Sequence, residues 1–163
     1  MRRFLVVMLV ALGMMGAIGA AAQERGQTLS KASMAEVIYI ALQHGYTIKG
    51  VSSAADEDWI RVDVDGAEFF IIGRVCDDDD GKCESLEMTA RYDTHPNVTL
   101  EEINEINGEF SAVSLSKIDD QIVLSRYLVL DYGMSEGNIR YNMHFFGLHV
   151  DTILTKLESA AES

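Results

Sequence analysis

One proline, one tryptophan and two cysteines in 163 residues are the first shortages of this sequence. With so little proline, 48% apolar and 24% charged residues, it is neither a collagen-like fibre nor a disordered tail. Two cysteines are too few for a small domain packed around disulfides. Positive charge is also scarce: 13 Lys and Arg face 26 Asp and Glu, a formal charge of −13. Affinity for phosphates comes mainly from clustered Lys and Arg, so this balance excludes a nucleic-acid binder. Only one long apolar run exists, 16 residues from Phe4 to Gly19, broken by Gly13 and Gly16. A membrane span needs about 20 strongly apolar residues, so the run is too short and too interrupted.

Catalytic patterns are missing as well. There is no Gly-x-Ser-x-Gly elbow, no H-E-x-x-H and no C-x-x-C. Gly81-Lys82 resembles the end of a phosphate loop, but Cys76 stands at the earlier glycine position and Cys83 follows the lysine. The four histidines are His44, His95, His144 and His149. His144 and His149 lie five apart on a predicted helix, whereas paired helical zinc ligands lie three or four apart. His95 sits in a loop beside Pro96. The expectation is a non-enzyme without a cofactor or resident metal.

What is present begins with an address. Arg2 and Arg3 precede the apolar run, and Ala20-Ala21-Ala22 supplies the small residues of a cleavage site. Residues 1–22 read as a signal peptide cut before Gln23, and the protein as periplasmic or secreted. Their removal takes two arginines and no acid, leaving 141 residues with 11 basic and 26 acidic side chains, a formal charge of −15. Such a charge opposes anionic membrane surfaces and nucleic acid, and suits a basic partner or a cation.

In an exported chain, an even pair of cysteines reads as a disulfide, Cys76 to Cys83. It closes an eight-residue hairpin loop, worth roughly 2.5 kcal/mol in the chain-entropy account. Asp77, Asp78, Asp79 and Asp80 lie inside that loop. Aligning Gly81 with the glycine of an EF-hand places Asp78 and Asp80 on ligand positions 3 and 5, and Glu87 on position 12. Cys76 then takes position 1, and strands flank the loop where helices are required, so the spacing reads as coincidence. A cation site of another kind, built on the four aspartates, is the second functional hypothesis.

The rest of the chain spells out its elements. Residues 23–29 read as a flexible leader, 30–158 as a single domain and 159–163 as a tail. Ser33-Met34-Ala35-Glu36 is a capping box, opening a helix with Met34, Val37, Ile38 and Leu42 inward, broadened by Ile40 and Ala41, and stopped by Gly45. Residues 46–51 are a strand. Residues 59–64 alternate, with Ile60, Val62 and Val64 on one face, and Asp65-Gly66 turns the chain into an apolar return strand. A strand from Leu86 to Tyr92 follows the cystine loop. Thr99-Leu100-Glu101-Glu102 is a second capping box, whose helix buries Leu100, Ile103, Ile106 and Phe110. Residues 111–118 and 121–130 are strands around an Asp119-Asp120 turn. Ser135 caps a last helix with the stripe Ile139, Met143, Phe146, Val150, Ile153 or Leu154, and Leu157. The order α-β-β-β-β-α-β-β-α predicts an α+β domain, a mainly antiparallel sheet with helices packed on it.

Several of these residues resemble the YbjN family of bacterial proteins, described as sensory transduction regulators. They are Val64-Asp65-Gly66, Cys76 with an acidic loop to Cys83 and Ser85-Leu86, and the helix bearing Ile103, Asn104, Glu105, Ile106, Asn107 and Phe110. The resemblance spans residues 29–157 and includes the long terminal helix. Many members carry a basic residue between the second Asn and the Phe, where this chain has Gly108-Glu109. The resemblance implies a twisted sheet like that of the type III secretion chaperones. Those chaperones bind other proteins without chemistry, often as dimers. An unidentified protein partner is therefore expected, with room for a homodimer. Asn104, Asn107 and Phe110 are a partner-binding or structural motif; the residues alone favour amides bonded to neighbouring backbone, because an unpaired buried amide costs roughly 1–3 kcal/mol.

Overall fold

The computed structural model describes residues 27–54, 57–94 and 97–161. The expected signal peptide, 1–22, lies outside them, as do His95 and Pro96. Local signals start and stop the helices as predicted. Both capping boxes close reciprocally, Ser33 with Glu36 at α1 (Met34–Gln43) and Thr99 with Glu102 at α2 (Leu100–Glu109). Gly45 leaves α1 at φ +79°, and Asp65 and Gly66 both turn at positive φ, the requirement of a tight type I′ hairpin. That hairpin joins β3 (Glu57–Val64) to β4 (Ala67–Cys76), and the cystine loop joins β4 to β5 (Cys83–Asp93).

The main sheet has six strands in the order β2-β3-β4-β5-β7-β6, every neighbour antiparallel. Here β2 is Thr47–Ala54, β6 Ser114–Ile118 and β7 Gln121–Val129. After β5 the chain passes through α2 to the edge strand β6, then returns as β7 between β6 and β5. The 26-residue α3 (Glu136–Ala161) lies over β3, β4 and β5, with α1 beside it over β2 and β3 and α2 against β6. Its stripe of Ile139, Met143, Phe146, Val150, Ile153 and Leu157 is wholly buried. Phe146 meets Phe69 edge to face at 4.9 Å. This is the α+β architecture and element order expected from the sequence.

Two short strands are additional. Thr28–Leu29 forms β1 and pairs with β8 (Met134–Ser135), while Glu136 N–H donates to the Gln27 carbonyl at 3.0 Å. Thr28 and Leu29 were expected in a flexible leader. They are ordered because Leu29 is buried in the core and the strand pairing satisfies its backbone. Residues 159–161, expected in a tail, continue α3. Leu42 and Leu100, expected inside, are exposed: α1 and α2 each present a narrower stripe to the sheet than their apolar residues would allow. Residues 111–113 form a turn before β6, and the Ala112 carbonyl there accepts from the Arg126 guanidinium. Among the described residues, no helix is long and apolar enough to cross a membrane.

Candidate functional site

Cys76 and Cys83 face each other in the β4–β5 register, their sulfurs 2.12 Å apart. Cys83 is fully buried and exchanges both backbone hydrogen bonds with Ala32, at 2.9 and 3.0 Å. Gly73 lies directly under the two sulfurs. A Cβ there would stand 3.0 Å from Cys76 Sγ and press closer still on Cys83 Sγ, so the strand needs glycine at this point.

Local hydrogen bonds hold the acidic loop. Asp77 Oδ1 accepts from Asp79 N–H at 3.0 Å, and Asp80 Oδ1 from Lys82 N–H at 2.9 Å. Lys31 Nζ lies 3.2 Å from Asp77 and 3.5 Å from Glu84. The Asp79 amide, helped by Lys31, holds the Asp77 carboxyl below the usual range, and the bond to Asp77 raises the Lys31 ammonium. Lys82 reaches out of the loop to Glu36 at 3.0 Å. Asp78 and Asp79 project into solvent. Glu87, which the EF-hand spacing would enlist, instead binds Arg74 Nε at 2.8 Å. Strands flank the loop on both sides. No group of three or more His, Cys, Asp or Glu among the described residues is placed to hold a metal ion.

On α2 the two asparagines part company. Asn107 donates to the Leu115 carbonyl and accepts from the Leu115 N–H, both at 2.8 Å, so its amide acts as an extra rung joining α2 to β6. Asn104 is exposed. Phe110 is half-buried, edge-on to His149 with ring centres 5.3 Å apart, and Lys156 Nζ lies 5.5 Å from its centre. His149 also bonds the Phe145 carbonyl, whereas His144 turns towards Asp65 at 3.2 Å. The two histidines thus serve different surroundings, as their spacing predicts.

The surface that sequence reasoning missed is the far face of the sheet. All three helices cover the face of Ile60, Ile71 and Met88. The opposite face bears the alternate residues of the same strands. Trp59, Ile72, Glu87 and Tyr127 form one row across β3, β4, β5 and β7, and Arg61, Phe70, Thr89 and Ser125 form the next. Trp59 packs edge-on to Phe70 at 5.3 Å. Tyr127 and Val129 are more than half exposed. Among the described residues, no helix packs on this face. Lys49, Arg61, Arg74 and Arg91 also lie on this side. The period-two pattern that marked Ile60, Val62 and Val64 as core also placed Trp59 and Arg61 together on the reverse face. Only the tertiary arrangement shows that, among the described residues, no helix covers them.

Residues 35–159 match the YbjN family, whose description is "Putative bacterial sensory transduction regulator". Among solved structures, the chain is similar to the crystal structure of YbjN, "a putative transcription regulator from E. coli". The TM-score is 0.55 at 12% identity, over 83% of this chain and 96% of that one. An uncharacterized protein from Methanothermobacter thermautotrophicus gives 0.53 at 11% identity, over 78% and 99%. No curated protein matches. The structural likenesses establish the fold, and the family match extends over most of the chain. The chain belongs to the YbjN family.

Proposed function

We propose that the chain is an exported, non-catalytic regulatory module that binds a protein partner through the uncovered face of its sheet. One observation carries this reading: Trp59, Phe70, Tyr127 and Val129, from neighbouring rows, are exposed or half-buried apolar residues on a sheet face against which, among the described residues, no helix packs. Exposed apolar rows rimmed by charge mark interaction surfaces, and aromatic residues are enriched at the centres of such interfaces. The family description as a regulator, and the signal-like pattern of residues 1–22, agree with it. The Cys76–Cys83 bond belongs to the same proposal, since oxidising compartments preserve disulfides. Among the described residues the cation hypothesis gains no support: Asp77 takes Lys31 and the Asp79 amide, Asp80 takes the Lys82 amide, and no group of three or more ligating side chains is placed to hold a metal ion.

The test uses protein exported from cells. Its intact mass should lack residues 1–22 and two thiol hydrogens. Immobilised wild-type protein is then compared with a Trp59→Ser, Tyr127→Ser variant as bait in periplasmic extract. Wild type should retain a partner that the variant loses. Identical retention by both baits would overturn the assignment of the face.

A further inference from the structure

A shallow depression of about 180 Å³ opens on the uncovered face, lined by Arg61, Glu68, Phe70 and Arg91 among others. Its origin is a break in the sheet. The β4–β5 pairing runs from Cys76↔Cys83 to Phe70↔Thr89 and stops there. Beyond it, β4 stays with β3 as far as Ala67, and β5 stays with β7 as far as Asp93. The two strands therefore diverge in mid-sheet, bridged by the Tyr92 hydroxyl donating to the Glu68 carbonyl at 3.2 Å.

The charges around this gap are unusual for so acidic a chain. Lys31, Lys49, Arg74, Lys82 and Lys156 are all ion-paired. Arg126 bonds Asn142 and Ala112, and Lys117 donates to the Val98 carbonyl. Among the described residues, Arg61, Arg91 and Arg140 have neither an ion pair nor a hydrogen bond; Arg140 stands apart on α3, whereas Arg61 and Arg91 are exposed beside one depression. Glu68 does not neutralise them: its carboxylate lies 3.7 Å from Lys49, which also holds Asp63 at 3.2 Å. Five charged groups thus leave a local excess of one positive charge on a molecule that is otherwise strongly negative.

We propose that Arg61 and Arg91 form a carboxylate-binding site that receives an extended acidic segment of the partner protein. This rests on the assignment of the sheet face as the interaction surface. Two guanidinium forks bind carboxylates in bidentate fashion, and their planar geometry makes the contact directional. Phe70 and Trp59 lie alongside, so apolar side chains flanking the carboxylate have a surface to cover. The favoured ligand is a short strand of alternating acidic and apolar residues. A long polyanion would extend beyond the positive patch onto acidic surface, where repulsion acts within a Debye length of about 8 Å.

The probe is acetyl-Glu-Leu-Glu-Leu-Glu-Leu-amide, titrated into the full mature protein at about 50 mM salt. Trp59, the sole tryptophan, reports binding by fluorescence, and calorimetry gives the affinity. Saturable binding is expected. Arg61→Gln and Arg91→Gln should each weaken it about tenfold or more, and Arg61→Lys with Arg91→Lys should restore only part of it. Arg140→Gln, an exposed arginine on α3, should bind as wild type. The site is overturned if no saturation occurs below ~1 mM, if the double Gln variant binds normally, or if the Lys-for-Glu peptide binds equally well. Tighter Arg-dependent binding of inorganic phosphate or of oligo-dT would replace the carboxylate with a phosphate ligand and overturn the proposal. So would a homodimer that dissociates in the double variant, since a second copy would then occupy the site. If the peptide fails while the Trp59→Ser, Tyr127→Ser bait still loses its partner, the ligand class falls and the face remains. If both fail, both readings fall.

Discussion

At the scale of single residues, neighbouring positions of one motif do different work. Asn107 fills both hydrogen-bonding needs of the Leu115 backbone, while Asn104 stands in solvent. Replacing Asn107 by Ala leaves a backbone donor and acceptor without partners, at a cost of about 1–3 kcal/mol. Asn104→Ala should change stability by no more than about 0.5 kcal/mol, as for other surface positions. Urea unfolding of the two variants checks the contrast, and equal losses would contradict it. The sequence made a backbone-bonded amide the better expectation on α2. It held nothing to say which asparagine, because that depends on where β6 passes. Gly73 is a similar case. The cysteine spacing announced a clamped hairpin, but the need for glycine beneath the sulfurs follows from how closely β4 approaches the bridge.

Among elements, the capping boxes were the most legible features, because their partners lie three residues apart and need no tertiary context. They also bear charge. Bonds from the Ser33 and Thr99 N–H groups hold Glu36 and Glu102 below the usual carboxylate range. The Gly66 amide, with Lys49, does the same for Asp63. A carboxyl depressed by folding contributes stability that is complete above its unfolded value, about 4. That contribution is lost as pH falls through the lower folded value. The melting temperature should therefore fall mainly below about pH 5, and a Glu36→Gln, Glu102→Gln variant should lose less of it between about pH 5 and 3. Calorimetric melting across that range decides it; an unchanged slope would show that these caps are not the source. The helix faces were less legible. Leu42 and Leu100 follow helical spacing yet face solvent, since periodicity marks an apolar side without giving the width the sheet can cover.

For the whole molecule, the N-terminal staple is the plainest case of long-range order. Leu29 belongs to a two-residue strand whose partner lies more than 100 residues away at Met134. Leu29→Ala should nevertheless cost about 2–4 kcal/mol, the range for emptying a buried leucine site. Equilibrium unfolding measures it, and a cost below about 0.5 kcal/mol would mean that the staple holds nothing. By itself, the sequence determined the helices, the hairpins, the buried stripe of α3 and the α+β order. Each of these rests on turn chemistry, caps or a repeat of two or 3.6 residues within a short stretch of chain. The tertiary structure alone decided that α1, α2 and α3 lie on one side, that β7 inserts between β5 and β6, and that β4 and β5 part in mid-sheet. Those outcomes arise from contacts between distant segments, whose pairing no local pattern records. The candidate site, a face that none of the described helices covers, with Arg61 and Arg91 beside a gap, arises from such contacts.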